Sequence, residues 1–172
     1  FMENTDVETF SDFDSDPFYS DRPIQFMETT EGKIKTISAP HMIVTLLHHL
    51  ELNSGQEVIL IGSKGGYLAA LIAQMIGENG NVRVLDQCDE SIFHAKERLT
   101  HWPTIELRTL ESVDVSPVAF PGEFNRVLIT GHIEVLPEWI SSRIAEGGFV
   151  IAPLGPENHQ QLMKMEKQDT EL

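Results

Sequence analysis

The sequence has little with which to cross-link itself, span a membrane or grip a polyanion. Its 172 residues include one cysteine, Cys88, which excludes an internal disulfide framework and leaves no cysteine pair for a metal. Cys88 is read as inert. No run approaches the roughly 20 consecutive apolar residues of a membrane-spanning helix, and no signal-peptide pattern opens the chain. The expectation is a soluble, intracellular protein of the cytoplasm. Basic residues are scarce, with 12 Lys and Arg against 27 Asp and Glu and a net charge of −15. That balance disfavours nucleic acid and anionic membranes as partners, since both demand basic patches. The seven histidines show no His-x-x-x-His spacing, so no metal site is expected.

What is present gathers around residues 57–70. Residues 58–61 form a continuous apolar run, the pattern of a parallel strand covered on both faces. Gly62, Gly65 and Gly66 follow at once and let the backbone turn sharply. The helix that begins near Tyr67 offers its first amides to an anionic or polar group. Alone, such a turn reads equally as a ligand site or a packing device. A second strand over 81–85 ends in Asp86, about 20 positions beyond the glycines, where a nucleoside ribose would find an acceptor for its hydroxyls. Asp86 has a plainer reading as the cap of the helix that follows.

The rest is read in chain order. Residues 1–20 carry Glu3, Asp6, Glu8, Asp12, Asp14 and Asp16 with no Lys or Arg, interleaved with Phe1, Phe10, Phe13 and Phe18. The run has no periodicity and reads as a flexible acidic arm whose aromatics are available to dock. Residues 21–37 look irregular, with turns at Asp21-Arg22-Pro23 and Glu31-Gly32-Lys33. A helix opens at Ser38-Ala39-Pro40-His41, with Ser38 as its candidate cap; Met42, Ile43, Leu46, Leu47 and Leu50 recur at helical spacing. Further helices are expected over 67–75, 89–99 (Ile92, Phe93 and Ala95 inside) and 137–144, and further strands over 105–109, 126–130 and 149–152. This alternation predicts a single α/β domain over 21–172, a doubly wound, mostly parallel sheet flanked by helices, with ligands at the carboxyl ends of its strands.

The stretches Ile37-Ser38-Ala39-Pro40-His41-Met42, Gly62 to Gly66 with Tyr67, Asp86, Ala95 and Leu99, Asn125-Arg126-Val127-Leu128-Ile129-Thr130, and Glu146-Gly147-Gly148-Phe149-Val150-Ile151-Ala152-Pro153-Leu154-Gly155 resemble successive motifs of the protein L-isoaspartate O-methyltransferases. They follow one another in unbroken order over about residues 19–165. The Ile-Ser-x-Pro-His-Met stretch is specific to that family, whereas the glycine turn and Asp86 are shared by many methyltransferases. The resemblance implies a Rossmann-like class I methyltransferase fold. It also implies methyl transfer from S-adenosylmethionine to the α-carboxylate of an isoaspartyl residue in a damaged protein or peptide, whose ester then closes to a succinimide unaided. A carboxylate is already a nucleophile at neutral pH, so catalysis of this kind rests on alignment and on keeping water out. By resemblance Ser38 touches the substrate carboxylate, Gly62, Ser63, Gly65 and Gly66 carry the methionine part of the cofactor, Asp86 holds its ribose, and Glu111 stands on the adenine side.

Several positions depart from the family pattern. Leu60 stands where the family has an acidic residue near the cofactor's amino group, and Lys64 where it has the middle glycine of the turn. Lys64 either sets a positive charge near a sulfonium or pairs with the cofactor's carboxylate. Leu110-Glu111-Ser112 replaces a Gly-Asp-Gly, and Asn125 replaces an aspartate while keeping an acceptor. The acidic arm takes the place of a helical segment before Tyr19-Ser20-Asp21-Arg22-Pro23. The chain stops at Leu172, before the final strand expected to complete the sheet, so an open edge near residues 149–163 is expected to offer a route to oligomers. Two functional readings follow, an active carboxyl methyltransferase and a non-catalytic relative that acts through protein interaction. A dinucleotide oxidoreductase is distant, because the turn fits neither Gly-x-Gly-x-x-Gly nor the phosphate-loop pattern. Tyr67 is read as packing the start of its helix, His41 as structural, and His132 as a candidate pocket residue.

Overall fold

In a computed structural model, which describes residues 2–115 and 122–168, the chain runs through α1 (Asp16–Tyr19), β1 (Ile24–Glu28), β2 (Ile34–Ile37), α2 (Pro40–Leu50), β3 (Glu57–Ile61), α3 (Tyr67–Ile76), β4 (Asn81–Asp86), α4 (Asp89–Arg98), β5 (Ile105–Thr109), β6 (Phe124–Ile129), α5 (Glu138–Arg143), β7 (Ile144–Leu154) and β8 (Gln161–Glu166). Phe1, counted above in the acidic arm, and residues 169–172 of the expected domain lie outside the described residues.

Successive residues of the central strands point into two different cores. Val58 and Leu60 of β3 join one cluster, Ile59 and Ile61 the other. Val82 and Val84 oppose Leu85 in β4, Leu128 opposes Val127 and Ile129 in β6, and Phe149 and Ile151 oppose Val150 and Ala152 in β7. Side chains alternate across a strand, so an unbroken apolar run is buried only when each face has its own layer. Residues of α2, α3 and α4 belong to the first core, and Trp139 and Ile140 of α5 to the second. The sheet order is β5-β4-β3-β6-β7-β8, parallel throughout except for β8, which runs antiparallel to β7. The expected doubly wound, mostly parallel architecture is the observed one. Arg126 ties the sheet to α2 on one face: its guanidinium lies 4.0 Å over the Phe149 ring, and Nε donates to the Leu50 carbonyl at the end of α2 at 2.8 Å.

Five local expectations are corrected. The acidic arm is packed: Val7, Phe10 and Phe18 are 2%, 3% and 5% exposed, and the Phe10 and Phe18 rings meet Tyr67 edge-on at 5.5 and 5.6 Å between centroids. It lacks periodicity because single aromatic anchors, rather than a repeating face, hold it down. Residues 21–37 are not irregular but contain the antiparallel β1–β2 hairpin. In α4 the inward position falls to His94 (6% exposed) and not to Phe93 (65% exposed). The edge expected near residues 149–163 lies further out: β7 pairs with β6 on one side and β8 on the other, and β8 is the strand that ends the sheet. Finally, Ser38 does not cap α2. Its N-cap is Ala39, with no side-chain cap bond, and Asp21 does the capping from 20 residues upstream, accepting from the His41 amide at 2.9 Å with both its oxygens 3.0 Å from His41 Nδ1. The bond from that amide, and then from the ring, holds the Asp21 carboxyl below its usual range. Asn125 keeps its acceptor role, taking the Glu57 amide at 2.8 Å.

Beneath β1, the His94 ring sits 5.0 Å from that of Phe26, with Asp12 3.4 Å from Nε2 and Arg98 alongside. Burial, with help from Arg98 and against Asp12, pushes its imidazole down to about 4. The unfolded chain takes up this proton near the ordinary value of 6.5 and the folded chain only near 4, so stability is complete above 6.5 and falls as pH drops between the two. His94→Leu is expected to flatten unfolding free energy against pH over that window by up to about 1.4 kcal/mol per pH unit, measured by urea titration at several pH values. In the same assay at pH 7, Phe10→Ala should cost about 3 kcal/mol. A cost below about 0.5 kcal/mol would mean that the segment is not part of the core.

Candidate functional site

β3 pairs with β4 on one side and β6 on the other, so the order reverses there and the chain leaves the sheet in opposite directions. A crevice at the carboxyl ends of the strands is the consequence. It is a cavity of about 370 Å³ walled by Ile61, Gly62 and Lys64 after β3, Asp86, Gln87 and Ser91 after β4, Ile129 to Ile133 after β6, Val113 beyond β5, and Phe26, Ile34, Lys35 and Thr36 of the hairpin.

The turn after β3 has two sides. Lys64, Gly65 and Gly66 carry φ of 46°, 68° and 92° in succession, a left-handed stretch that glycine adopts freely and lysine does not. A Cβ on Gly65 would lie 3.0 Å from the Phe10 carbonyl and 3.1 Å from the Phe26 ring, and one on Gly66 would lie 2.9 Å from Leu99. Those two glycines therefore face packed protein. Gly62 and Lys64 face the cavity, and Gly62 is held against β6, where an added Cβ would lie 2.1 Å from Thr130 Oγ1. Ser63 is fully buried, and its Oγ has no partner among the described residues.

Asp86 closes the turn from the neighbouring strand. One carboxylate oxygen accepts the Ser63 amide at 2.8 Å and the other accepts the Cys88 amide at 2.9 Å, just ahead of α4. Asp86 lines the cavity but does not cap α4: that helix's N-cap is Cys88, with no side-chain cap bond, and Asp86 holds only the amide ahead of it. A carboxylate has roughly four lone-pair sites, so two amides leave acceptor capacity for a ligand hydroxyl. Lys64 is partly buried, and that burial lowers the pKa of its amine, with Lys35 adding to the effect and Asp86 opposing it. Leu60, at the position expected to be acidic, is completely buried in the first core.

Of the residues singled out from sequence, Gly62, Asp86 and His132 line the cavity, and His132 Nε2 donates to the Gly155 carbonyl at 2.6 Å. Ser38, Ser63, Gly65, Gly66 and Glu111 do not. Glu111 is exposed just past the buried Leu110, and Val113 supplies the wall on that side, its carbonyl accepting from Trp139 Nε1 at 2.7 Å. Ser38 lies between β2 and α2, half-buried, two residues beyond the cavity-lining Thr36, and its hydroxyl bonds to no described residue. Sequence reasoning misses Lys35 and Thr36 because the hairpin has no clean alternation; the β-branched Ile34, Thr36 and Ile37 after a glycine turn are the available signal. Among the described residues no cluster of His, Cys, Asp or Glu could hold a metal ion, and no helix is long and apolar enough to cross a membrane.

A family model described as protein-L-isoaspartate(D-aspartate) O-methyltransferase (PCMT) matches residues 1–172. The chain is similar to the protein-L-isoaspartate O-methyltransferases of Methanococcus vannielii (29% identity, 87% of this chain, 68% of the relative) and Methanosarcina mazei (27%, 88% and 60%). Among solved structures, a protein-L-isoaspartate O-methyltransferase superposes with a TM-score of 0.85 at 21% identity over 95% of this chain and 53% of its own. The beta-aspartate methyltransferase (PCMT) of Plasmodium falciparum, in complex with S-adenosyl-L-homocysteine, gives 0.82 at 22% over 99% and 82%. The chain thus spans about half to two thirds of several of the proteins it matches.

If Asp86 holds the turn, removing its carboxylate leaves two partly buried amides without partners. Asp86→Ala is expected to lower unfolding free energy by about 2 kcal/mol with no ligand present, read by chemical denaturation. A neutral result would leave Asp86 with a ligand role alone.

Proposed function

We propose, from the premise that this chain belongs to the protein-L-isoaspartate(D-aspartate) O-methyltransferase family, that it is an S-adenosylmethionine-dependent carboxyl methyltransferase acting on isoaspartyl residues of proteins or peptides. The observation that carries this reading is the cavity at the point where the strand order reverses, with a carboxylate on one wall and apolar side chains on another. The residues present fit such a cofactor. About 370 Å³ lies within the usual span of small-molecule sites. Asp86 would take the ribose hydroxyls, Val113, Ile129 and Ile133 would flank the base, and Gly62 with Lys64 would meet the methionine end. When bound, the cofactor supplies an electrophilic methyl group.

The chain's own residues then have a positioning task. The substrate carboxylate needs no base, only orientation toward that methyl and exclusion of water. Ser38 is the proposed orienting donor, because its hydroxyl is free of other described partners and follows directly on the strand that walls the cavity. His41 is spoken for by Asp21 and takes no part. The cytoplasm is the compartment proposed with this reading, since both the cofactor and ageing protein chains are met there. Leu60 and Lys64 favour the second reading, a relative that keeps the fold without the chemistry.

The two separate in one assay: transfer of labelled methyl from S-adenosylmethionine to an isoaspartyl peptide, set against the same peptide with normal aspartate. Activity on the first alone is expected. Ser38→Ala should lower it at least about tenfold, the worth of one hydrogen bond to a charged group, without moving the melting temperature. A folded wild-type chain inactive toward both peptides would leave the non-catalytic reading in possession.

A further inference from the structure

The cavity carries a charge opposite to that of the molecule. Two of the chain's 12 basic residues, Lys35 and Lys64, line it together with a single carboxylate, Asp86. With His132 neutral, the walls are formally positive inside a chain of net charge −15. Neither amine makes a hydrogen bond or ion pair with a described residue, whereas each Asp86 oxygen already accepts a backbone amide. Two cations are thus left facing one cavity whose single carboxylate is already partly engaged, although Lys35 also borders an adjoining pocket lined by Glu31, Asp89 and Glu90.

Lys64 is also costly where it stands. Its backbone sits at φ 46°, between cavity-lining Gly62 and the packed Gly65, in a conformation that disfavours any side chain. Its amine is partly withdrawn from water. Backbone strain and desolvated charge that coincide in a cavity wall are features that ligand sites retain. An anionic group on the ligand would offset both cations through short, charge-assisted hydrogen bonds.

Building on the methyltransferase reading, we propose that Lys64, with Lys35 beside it, anchors the carboxylate at the amino-acid end of an adenosyl ligand. The site thereby selects nucleosides by that carboxylate and bears harder on a positive sulfonium than on a neutral thioether. Lys64 is a specificity-determining residue in this scheme, doing by charge what a glycine turn does with backbone amides.

The test is calorimetric titration of the whole chain and of Lys64→Met with three probes: S-adenosylhomocysteine, S-adenosylmethionine, and 5′-methylthioadenosine, which keeps the nucleoside and the sulfur but has no amino-acid end. Lys64→Met should weaken S-adenosylhomocysteine by about tenfold or more while changing 5′-methylthioadenosine by less than about twofold. S-adenosylmethionine should lose less than its thioether counterpart, because the same substitution removes a repulsion. Equal losses for all three probes, or none for any, would overturn the carboxylate anchor and leave the methyltransferase reading standing. Absence of binding by all three to folded wild-type chain at millimolar concentration would overturn both. If Lys64→Met does not fold, Lys64→Gly supplies the same comparison with a residue the backbone accepts.

Discussion

The Asp86 carboxylate ties two turns together, and the cavity depends on that tie. β3 and β4 are parallel neighbours in which Ile61 stands beside Leu85, so the residues that follow each strand emerge side by side. The Ser63 amide lies beyond the sheet ladder and ahead of the helix, where neither supplies an acceptor. A partly buried amide left in that state costs on the order of 1–3 kcal/mol. Asp86 meets the need with one oxygen and satisfies the Cys88 amide before α4 with the other. Strand register therefore produces the contact, the contact fixes the turn, and the turn fixes one wall of the site. A ligand hydroxyl that reaches Asp86 meets an acceptor whose position is already set.

The opposite side of the turn rests on the amino-terminal segment. Gly65 leaves no room for a side chain because the Phe10 carbonyl and the Phe26 ring occupy that space, and Gly66 because Leu99 does. An acidic segment docks there because Asp6, Glu8, Asp12, Asp14 and Asp16 face water while Val7, Phe10 and Phe18 face inward. One acid, Asp12, pairs with Arg98 of α4, and the Asp12 amide donates to the Phe26 carbonyl of β1 at 3.1 Å. Glycines that look like ligand contacts in sequence thus divide by direction. The first belongs to the cavity, and the last two belong to the packing that supports it.

What the sequence made legible follows from how locally each feature is determined. The run at 58–61 declares a buried strand because two covered faces leave no polar alternation, and Asp86 declares itself because it ends the strand that follows. The hairpin was obscure because Ile34 is 62% exposed while Ile37 is buried, a face too short and uneven to read as a strand. Phe93 and His94 illustrate a different failure. Neighbouring helical positions differ by about 100° in direction, and the long-range presence of Asp12 and Phe26 gives the inward direction to the histidine, which local hydrophobicity does not foresee. Ser38 failed as a cap for the same reason: its competitor, Asp21, is fixed by the fold and not by the four residues around the helix start. Past β5, a two-residue difference between Glu111 and Val113 separates an exposed carboxylate from a cavity wall, which is finer than motif spacing resolves.

Charge acts here on two length scales. At physiological ionic strength the Debye length is about 8 Å, so the excess of 15 negative charges governs what approaches the surface, while the residues within one cavity govern what stays. A small anion is slowed by the first and held by the second. A peptide whose isoaspartyl carboxylate is flanked by lysine or arginine is drawn by the first and presents its negative group to the second. Lys35 and Lys64 line a cavity in which no hydrogen bond or ion pair with a described residue neutralises either amine. On the proposed reading, the acidic exterior and the formally positive cavity are therefore complementary, the one favouring substrates that are positive overall and the other the negative groups that react or anchor within them.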